Sequence, residues 1–208
     1  MKKILDDDAF YAELTSLFLS EGMSALTVGD IAARMRCSRR RLYEHAQTKE
    51  ELFCQVVQRH FDTALKAGNA VLERADRDIA ETLAEYLRVG ARAGAGLSTA
   101  FLTDLEKLPE AKKIFDDYQN ARAASAQDLI EHGIRQGFFV PCHALLVTEV
   151  MRAAALRLRQ PEFQARAKLT MDQAFDEFYR VLLGGLLEKR VTGTQAGDKA
   201  RRGRPART

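Results

Sequence analysis

Three consecutive arginines, Arg39, Arg40 and Arg41, follow Ser38, a residue suited to start a helix. A guanidinium fork matches both the edge of guanine and a phosphate. A cation in the first turn of a helix is placed to reach base edges when that helix enters a major groove. Tyr43, His45 and Lys49 follow with a phenol, an imidazole and an ammonium, groups that position a phosphate rather than read a base. Thr27 and Ser38 each combine a hydroxyl with the free N–H groups of a helix start, a second way to hold a phosphate. Val28 shares that surface. The competing reading is a solvated basic face on a helical protein. Caps, spacing and clustered charge together favour DNA contact.

The elements that must position these residues are short. From Leu26 to Phe53 the sequence runs LTVGDIAARMRCSRRRLYEHAQTKEELF. Thr27 and Asp30 have capping-box spacing and open one helix, braced inside by Ile31 and Met35. Ser38 opens a second, with Leu42 inward. Thr48 and Glu51 open a third, long helix carrying Leu52, Val56, Phe61 and Leu65 to about Arg74. Ahead of them, Phe10, Leu14, Leu17 and Phe18 share one face of a helix over 7–21 that Gly22 ends. Further helices are expected over 78–93, 97–107, 109–136, 144–158 and 167–190. Gly90, Gly94 and Gly96 weaken the helix before Leu97, and Pro161 breaks the chain between the last two. The expected fold is all-α.

Charge is distributed in islands. The 208-residue chain has a net charge of only +3. Six cations and one acid lie between Arg34 and Lys49, and seven cations and one acid from Lys189 to the end. A neutral body with two basic islands suits contact with a polyanion at defined places. Cys37, Cys54 and Cys142 lack metal-ligand spacing, and no nucleophile has a base partner, so neither metal, cofactor nor catalysis is expected. No stretch approaches the roughly 18 apolar residues of a membrane span, and a cytoplasmic protein is expected.

The head resembles the tetracycline-repressor (TetR) family of regulators over about residues 10–57. The resemblance is carried by Phe18, Gly22, Leu26, Thr27, Val28, Asp30, Ile31, Ala32, Ser38, Leu42, Tyr43, His45 and Lys49 to Leu52. It implies a three-helix DNA-binding head (1–48), a linker helix opening a ligand-binding and dimerisation body (49–190), and here a basic tail (191–208) expected to be disordered. It also implies a homodimer on a palindromic operator of double-stranded DNA, repression, and release by a small-molecule effector. The dimer would be built from helices over 144–158 and 167–188, with Val150, Ala154, Leu158, Phe175, Phe178 and Leu182 at the interface. Three residues depart from the family: Arg36 where glycine is frequent, Arg41 where a small residue is common, and Ala46 where an aromatic is common. Either Arg36 accepts an unusual backbone angle or the turn differs, and Ala46 removes packing against the linker helix.

In the body, Leu87, Leu97, Phe101, Leu102, Phe115, Tyr118 and Leu129 are candidates to line a ligand cavity, the alternative being ordinary core. The glycines from Gly90 to Gly96 are the candidate adjustable element. Cys37 sits in positive surroundings that favour a thiolate, although packing of the turn is the simpler role. Arg202, Gly203, Arg204 and Pro205 resemble the core of a minor-groove hook. The alternative function is a DNA-localised helical protein whose body binds a protein partner rather than a small molecule.

Overall fold

A computed structural model describes residues 6–74, 78–158 and 160–187. The described chain is helical throughout: α1 (Asp7–Glu21), α2 (Val28–Arg34), α3 (Arg39–His45), α4 (Lys49–Leu72), α5 (Ile79–Ala95), α6 (Thr99–Lys107), α7 (Pro109–Arg135), α8 (Ala144–Leu158), α9 (Pro161–Ala167) and α10 (Met171–Leu186). The tail from residue 188 on, with its hook-like segment, lies outside the described residues. Among the described residues no helix is long and apolar enough to cross a membrane.

Side-chain caps set most helix starts. Asp6, Thr27, Ser38, Thr48, Asp78, Ser98 and Thr170 each accept a hydrogen bond from a first-turn N–H. The Thr27–Asp30 box is reciprocal. At Thr48 the returning Glu51 carboxylate is taken by the N–H of Gln47 instead (2.8 Å). Arg36 adopts φ +52°, the strained angle its place in the turn requires.

Two expectations are corrected. The glycines do not interrupt α5, which runs through Gly90 and Gly94 to Ala95. Both are buried, and at Gly90 a Cβ would overlap the Arg122 guanidinium. Close packing therefore explains Gly90 better than looseness. The last stretch also divides differently: Pro161 opens the short α9, Lys168 turns the chain at φ +54°, and α10 begins only at Met171.

The head and the near half of the body share one core. Phe10, Leu14, Phe18, Ile31, Leu42, Phe53 and Val57 join Leu97, Phe101, Leu105 and Phe115 in a continuous apolar cluster. Phe53, on α4, is tilted against Phe18 of α1 at 5.6 Å and Phe101 of α6 at 5.2 Å. A second cluster joins α5, the end of α7, α8 and α10 through Leu83, Leu87, Ile130, Met151 and Leu186. Phe139 locks the far end. It fills the notch left by Gly133, where a Cβ would overlap its ring, and the next residue's N–H bonds the Leu186 carbonyl (2.8 Å).

Candidate nucleic-acid interface

The cap on Ser38, whose hydroxyl accepts from Arg41 N–H at 3.1 Å, fixes which way each following side chain points. Leu42 is buried against Ile31 and Leu52 in the head core. Arg39, Arg40 and Tyr43 then lie on the outer side. The Arg40 side chain is 89% exposed, with only Glu44 beside it at 3.4 Å. Tyr43 is half exposed. Arg39 reaches across the first turn of α2, where a Cβ on Gly29 would meet its guanidinium at 2.8 Å. Thr27, Gly29, Ser38, Arg39, Arg40 and Tyr43 thus gather along the front of both short helices, with Val28 half buried behind them.

Arg41, His45 and Lys49 are held differently. Arg41 donates to Asp7 of α1 (2.6 Å) and to Glu44 (3.3 Å) and lies over the Phe10 ring. His45 stacks on Phe10 with centroids 4.2 Å apart, and its Nε2 is 3.7 Å from the same Asp7 carboxylate. The Lys49 ammonium donates to the carbonyls of Leu26 (2.8 Å) and Met23 (3.2 Å). These three side chains tie α3 and α4 to the rest of the head.

The loop that Lys49 grips is also held from the body. Asp104 of α6 accepts hydrogen bonds from the N–H groups of Met23 (2.6 Å) and Ser24 (2.8 Å) and from the Ser24 hydroxyl. Burial opposes the Asp104 charge, but those bonds outweigh it and hold the carboxyl below its ordinary range. Gly22 allows the approach. Its φ of +75° and ψ of 179° suit only glycine, and a Cβ there would stand 2.7 Å from the Asp104 carboxylate. Ser98 N–H also bonds the Leu19 carbonyl (2.9 Å), so the start of α6 is fixed to the end of α1. Asp7, Gly29 and Asp104 have no motif to announce them, because their partners lie up to 81 residues away.

Two smaller features follow. Val28, Ile31, Leu42, Tyr43, Ala46 and Leu52 border a slight cleft between α2, α3 and α4, the place a larger side chain at Ala46 would fill. Cys37 is not activated: burial pushes its thiol up, and its backbone hydrogen bond and Arg41 only partly offset this. This favours the simpler of the two readings of Cys37, packing of the turn, over an activated thiolate.

Of the candidate cavity residues, Leu97, Phe101, Phe115 and Tyr118 are buried in the core shared with the head, and Leu102 packs against it. Leu129 packs on the second cluster. Leu87 alone of them borders a cleft of about 60 Å³ between α5, α7, α8 and α10, together with Tyr86, Gly90, Arg122, Thr148 and Met151. A wider groove of about 560 Å³, open to solvent, runs between α1, α4 and α5 past Tyr11, Arg59 and His60.

Of the candidate dimer residues, Phe175 and Leu158 are buried within the chain, Phe178, Leu182 and Ala154 are half buried, and Val150 is 52% exposed. Leu146 and Val181, which are 63% and 62% exposed, extend the uncovered apolar surface of α8 and α10.

A capped pair of short helices with cations on its outer side, carried on a helical body, defines a helix-turn-helix DNA-binding regulator. Residues 12–56 match the family described as bacterial regulatory proteins, tetR family. That match covers the helix-turn-helix head and the start of the linker helix. No curated protein matches it by sequence. Among solved structures it is similar to the TetR-family regulator PfmR from Thermus thermophilus, with 21% identity, 86% of this chain and 99% of that one covered, and a TM-score of 0.65. It is also similar to a putative transcriptional regulator from Saccharomonospora viridis in complex with choline, at 16% identity, 86% and 96% coverage and a TM-score of 0.74. The ketosteroid regulator KstR2 of Mycobacterium tuberculosis is similar at 20% identity, 86% and 94% coverage and a TM-score of 0.63.

Proposed function

We propose that the chain is a cytoplasmic homodimeric repressor that leaves a palindromic operator when a small molecule enters its body. The observation that carries this reading is the grip of α6 and α4 on the loop from Gly22 to Leu26. Asp104 holds that loop's amides and Lys49 its carbonyls, so a shift of the body helices reaches the recognition surface without crossing a flexible joint. Arg39 and Arg40 read bases, Tyr43 and the starts of α2 and α3 hold phosphates, and Arg41, His45 and Lys49 set the angle at which α3 is presented. Lys49 and His45 thus act on DNA mainly through position, a change of emphasis from direct phosphate contact.

Dimerisation rests on the uncovered apolar faces of α8 and α10, where Leu146, Val150 and Val181 are each more than half exposed. Such a surface marks an interaction site, and two-fold pairing would set the recognition helices about 34–36 Å apart, one turn of DNA. The choline of the Saccharomonospora neighbour is not carried over, because the cleft between α5, α7, α8 and α10 is lined by two arginines and no carboxylate.

The test is operator binding together with oligomeric state. Val150→Asp with Val181→Asp should give monomers by light scattering and abolish binding to a palindrome selected with the unaltered protein. A monomer with full operator affinity contradicts the dimer. Effector and operator must also weaken each other's binding by the same factor, typically about 5–150-fold. Unequal factors contradict ligand-driven release.

A further inference from the structure

Arg122 of α7 is a half-buried charge in the body, remote from the recognition surface. Its guanidinium is laid between two helices at glycines. At Gly90 of α5 a Cβ would overlap it, and at Gly68 of α4 a Cβ would stand 3.4 Å from its Nη1. Nη2 donates to the Tyr86 carbonyl (3.0 Å), and the guanidinium carbon lies 4.5 Å from the Tyr86 ring centre. Nη1 is fully buried and has no acceptor among the described residues. Arg122 makes no ion pair with any described carboxylate, although Asp and Glu are abundant on the outer faces of the same helices. A half-buried cation without a counter-charge, with a buried donor left over, is costly to keep in a core. Hydrophobic packing alone does not account for it.

The same residue borders the cleft between α5, α7, α8 and α10. Apolar groups make up much of its wall, with Leu87, Met151 and Ala126, while Thr148 and Tyr86 bring a hydroxyl and a ring. Arg152 lies on the exposed side, and no acid borders it. A space of about 60 Å³ takes a carboxylate head and little more, so a larger ligand must part α8 and α10 from α7.

We propose that Arg122 is the anchor for the effector, and that the effector is a small organic anion: a carboxylate on an apolar or aromatic body. The proposal rests on the reading of the chain as a ligand-released regulator and specifies the ligand's class. The carboxylate supplies the counter-charge, and a guanidinium turned toward it brings along the Nη1 donor that otherwise lies unpaired beside Gly68; charge-assisted bonds of this kind are about twice as strong as neutral ones. The apolar part lies against Leu87 and Met151. Gly68 belongs to α4, whose first residue Lys49 grips the head, so a guanidinium re-seated by its ligand acts on the helix that positions α3.

The test uses the full chain without DNA. Hexanoate, benzoate and their matched amides are titrated by calorimetry into the unaltered protein, Arg122→Gln and Arg122→Lys, with melting curves checking that each variant is folded. At least one acid should bind about tenfold more tightly than its amide, a difference of about 1.4 kcal/mol. That preference should vanish in Arg122→Gln and persist in reduced form in Arg122→Lys. If neither acid binds, if acid and amide bind alike, or if folded Arg122→Gln keeps the preference, the proposal is overturned. Operator release is measured separately by fluorescence anisotropy. An acid that binds through Arg122 but leaves operator affinity unchanged supports the anion site and overturns ligand-driven release instead.

Discussion

On α3, Arg40 extends into solvent with a single neighbouring carboxylate, whereas in the body Arg122 lies between two glycines against a tyrosine ring. The two arginines carry the same charge in opposite surroundings. An exposed guanidinium is screened by salt and hydrated, so it acts best on a polyanion that brings many phosphates at once. A half-buried one is little screened and can be satisfied by one small anion of the right shape. Between them lies a third use, in Arg41 and Lys49, whose cations are spent on Asp7 and on backbone carbonyls inside the head. Position relative to the core, more than residue type, decides which task a cation performs.

Several substitutions sharpen that contrast. The largest effect is expected at the junction. Asp104→Ala leaves two backbone N–H groups and a hydroxyl without their acceptor and should cost about 3 kcal/mol in chemical denaturation. Gly22→Ala forces a side chain into a backbone region reserved for glycine and should cost about 2 kcal/mol by the same measurement. A loss below a few tenths in both would mean that the head is not held through this contact.

The junction should also be acid-sensitive. The Asp104 carboxyl is held below its ordinary range when folded, so its contribution is complete above the unfolded value near ~3.9 and fades as pH falls through the folded value. Denaturation midpoints measured between neutral pH and pH 3 should fall more steeply for the unaltered chain than for Asp104→Asn. Parallel curves would remove Asp104 from the acid response.

Smaller effects separate reading from positioning on α3. Arg40→Ala should weaken operator binding by about 2 kcal/mol and relax sequence preference at defined positions. Arg41→Ala should change selectivity little and instead lower the melting temperature of the head slightly, since its partners Asp7 and Glu44 stand in solvent that screens the pairs.

Much of this was legible in the sequence where the signal was local. Thr27, Ser38 and Thr48 announced three helix starts because a cap and its partner N–H lie three residues apart. Arg36 announced a strained turn, and Pro109 opened α7 where a first-turn proline is tolerated. The outer side of α3 followed from Leu42 being apolar. Contacts between distant residues were not legible. Nothing around Asp104 shows that it bonds Met23 and Ser24, and nothing around Arg122 shows that Gly68 and Gly90 make room for it. Gly90 misled for that reason, since a glycine that admits a neighbour and one that loosens a helix look alike in a string of letters. Nor does a string of letters show that Phe101 and Leu97 sit in the core shared with the head.

The central claim is that α3 presents Arg39 and Arg40 to bases while Arg41, His45 and Lys49 hold it in place. The most direct test is sequence selection from a random DNA pool, followed by salt titration, with Arg39→Ala, Arg40→Ala, Arg41→Ala and Lys49→Ala beside the unaltered chain. The account predicts altered selected sequences for the first two alone, and weakened binding with an unaltered sequence and salt slope for the last two. An altered sequence with Arg41→Ala or Lys49→Ala, and an unaltered one with both Arg39→Ala and Arg40→Ala, would contradict it.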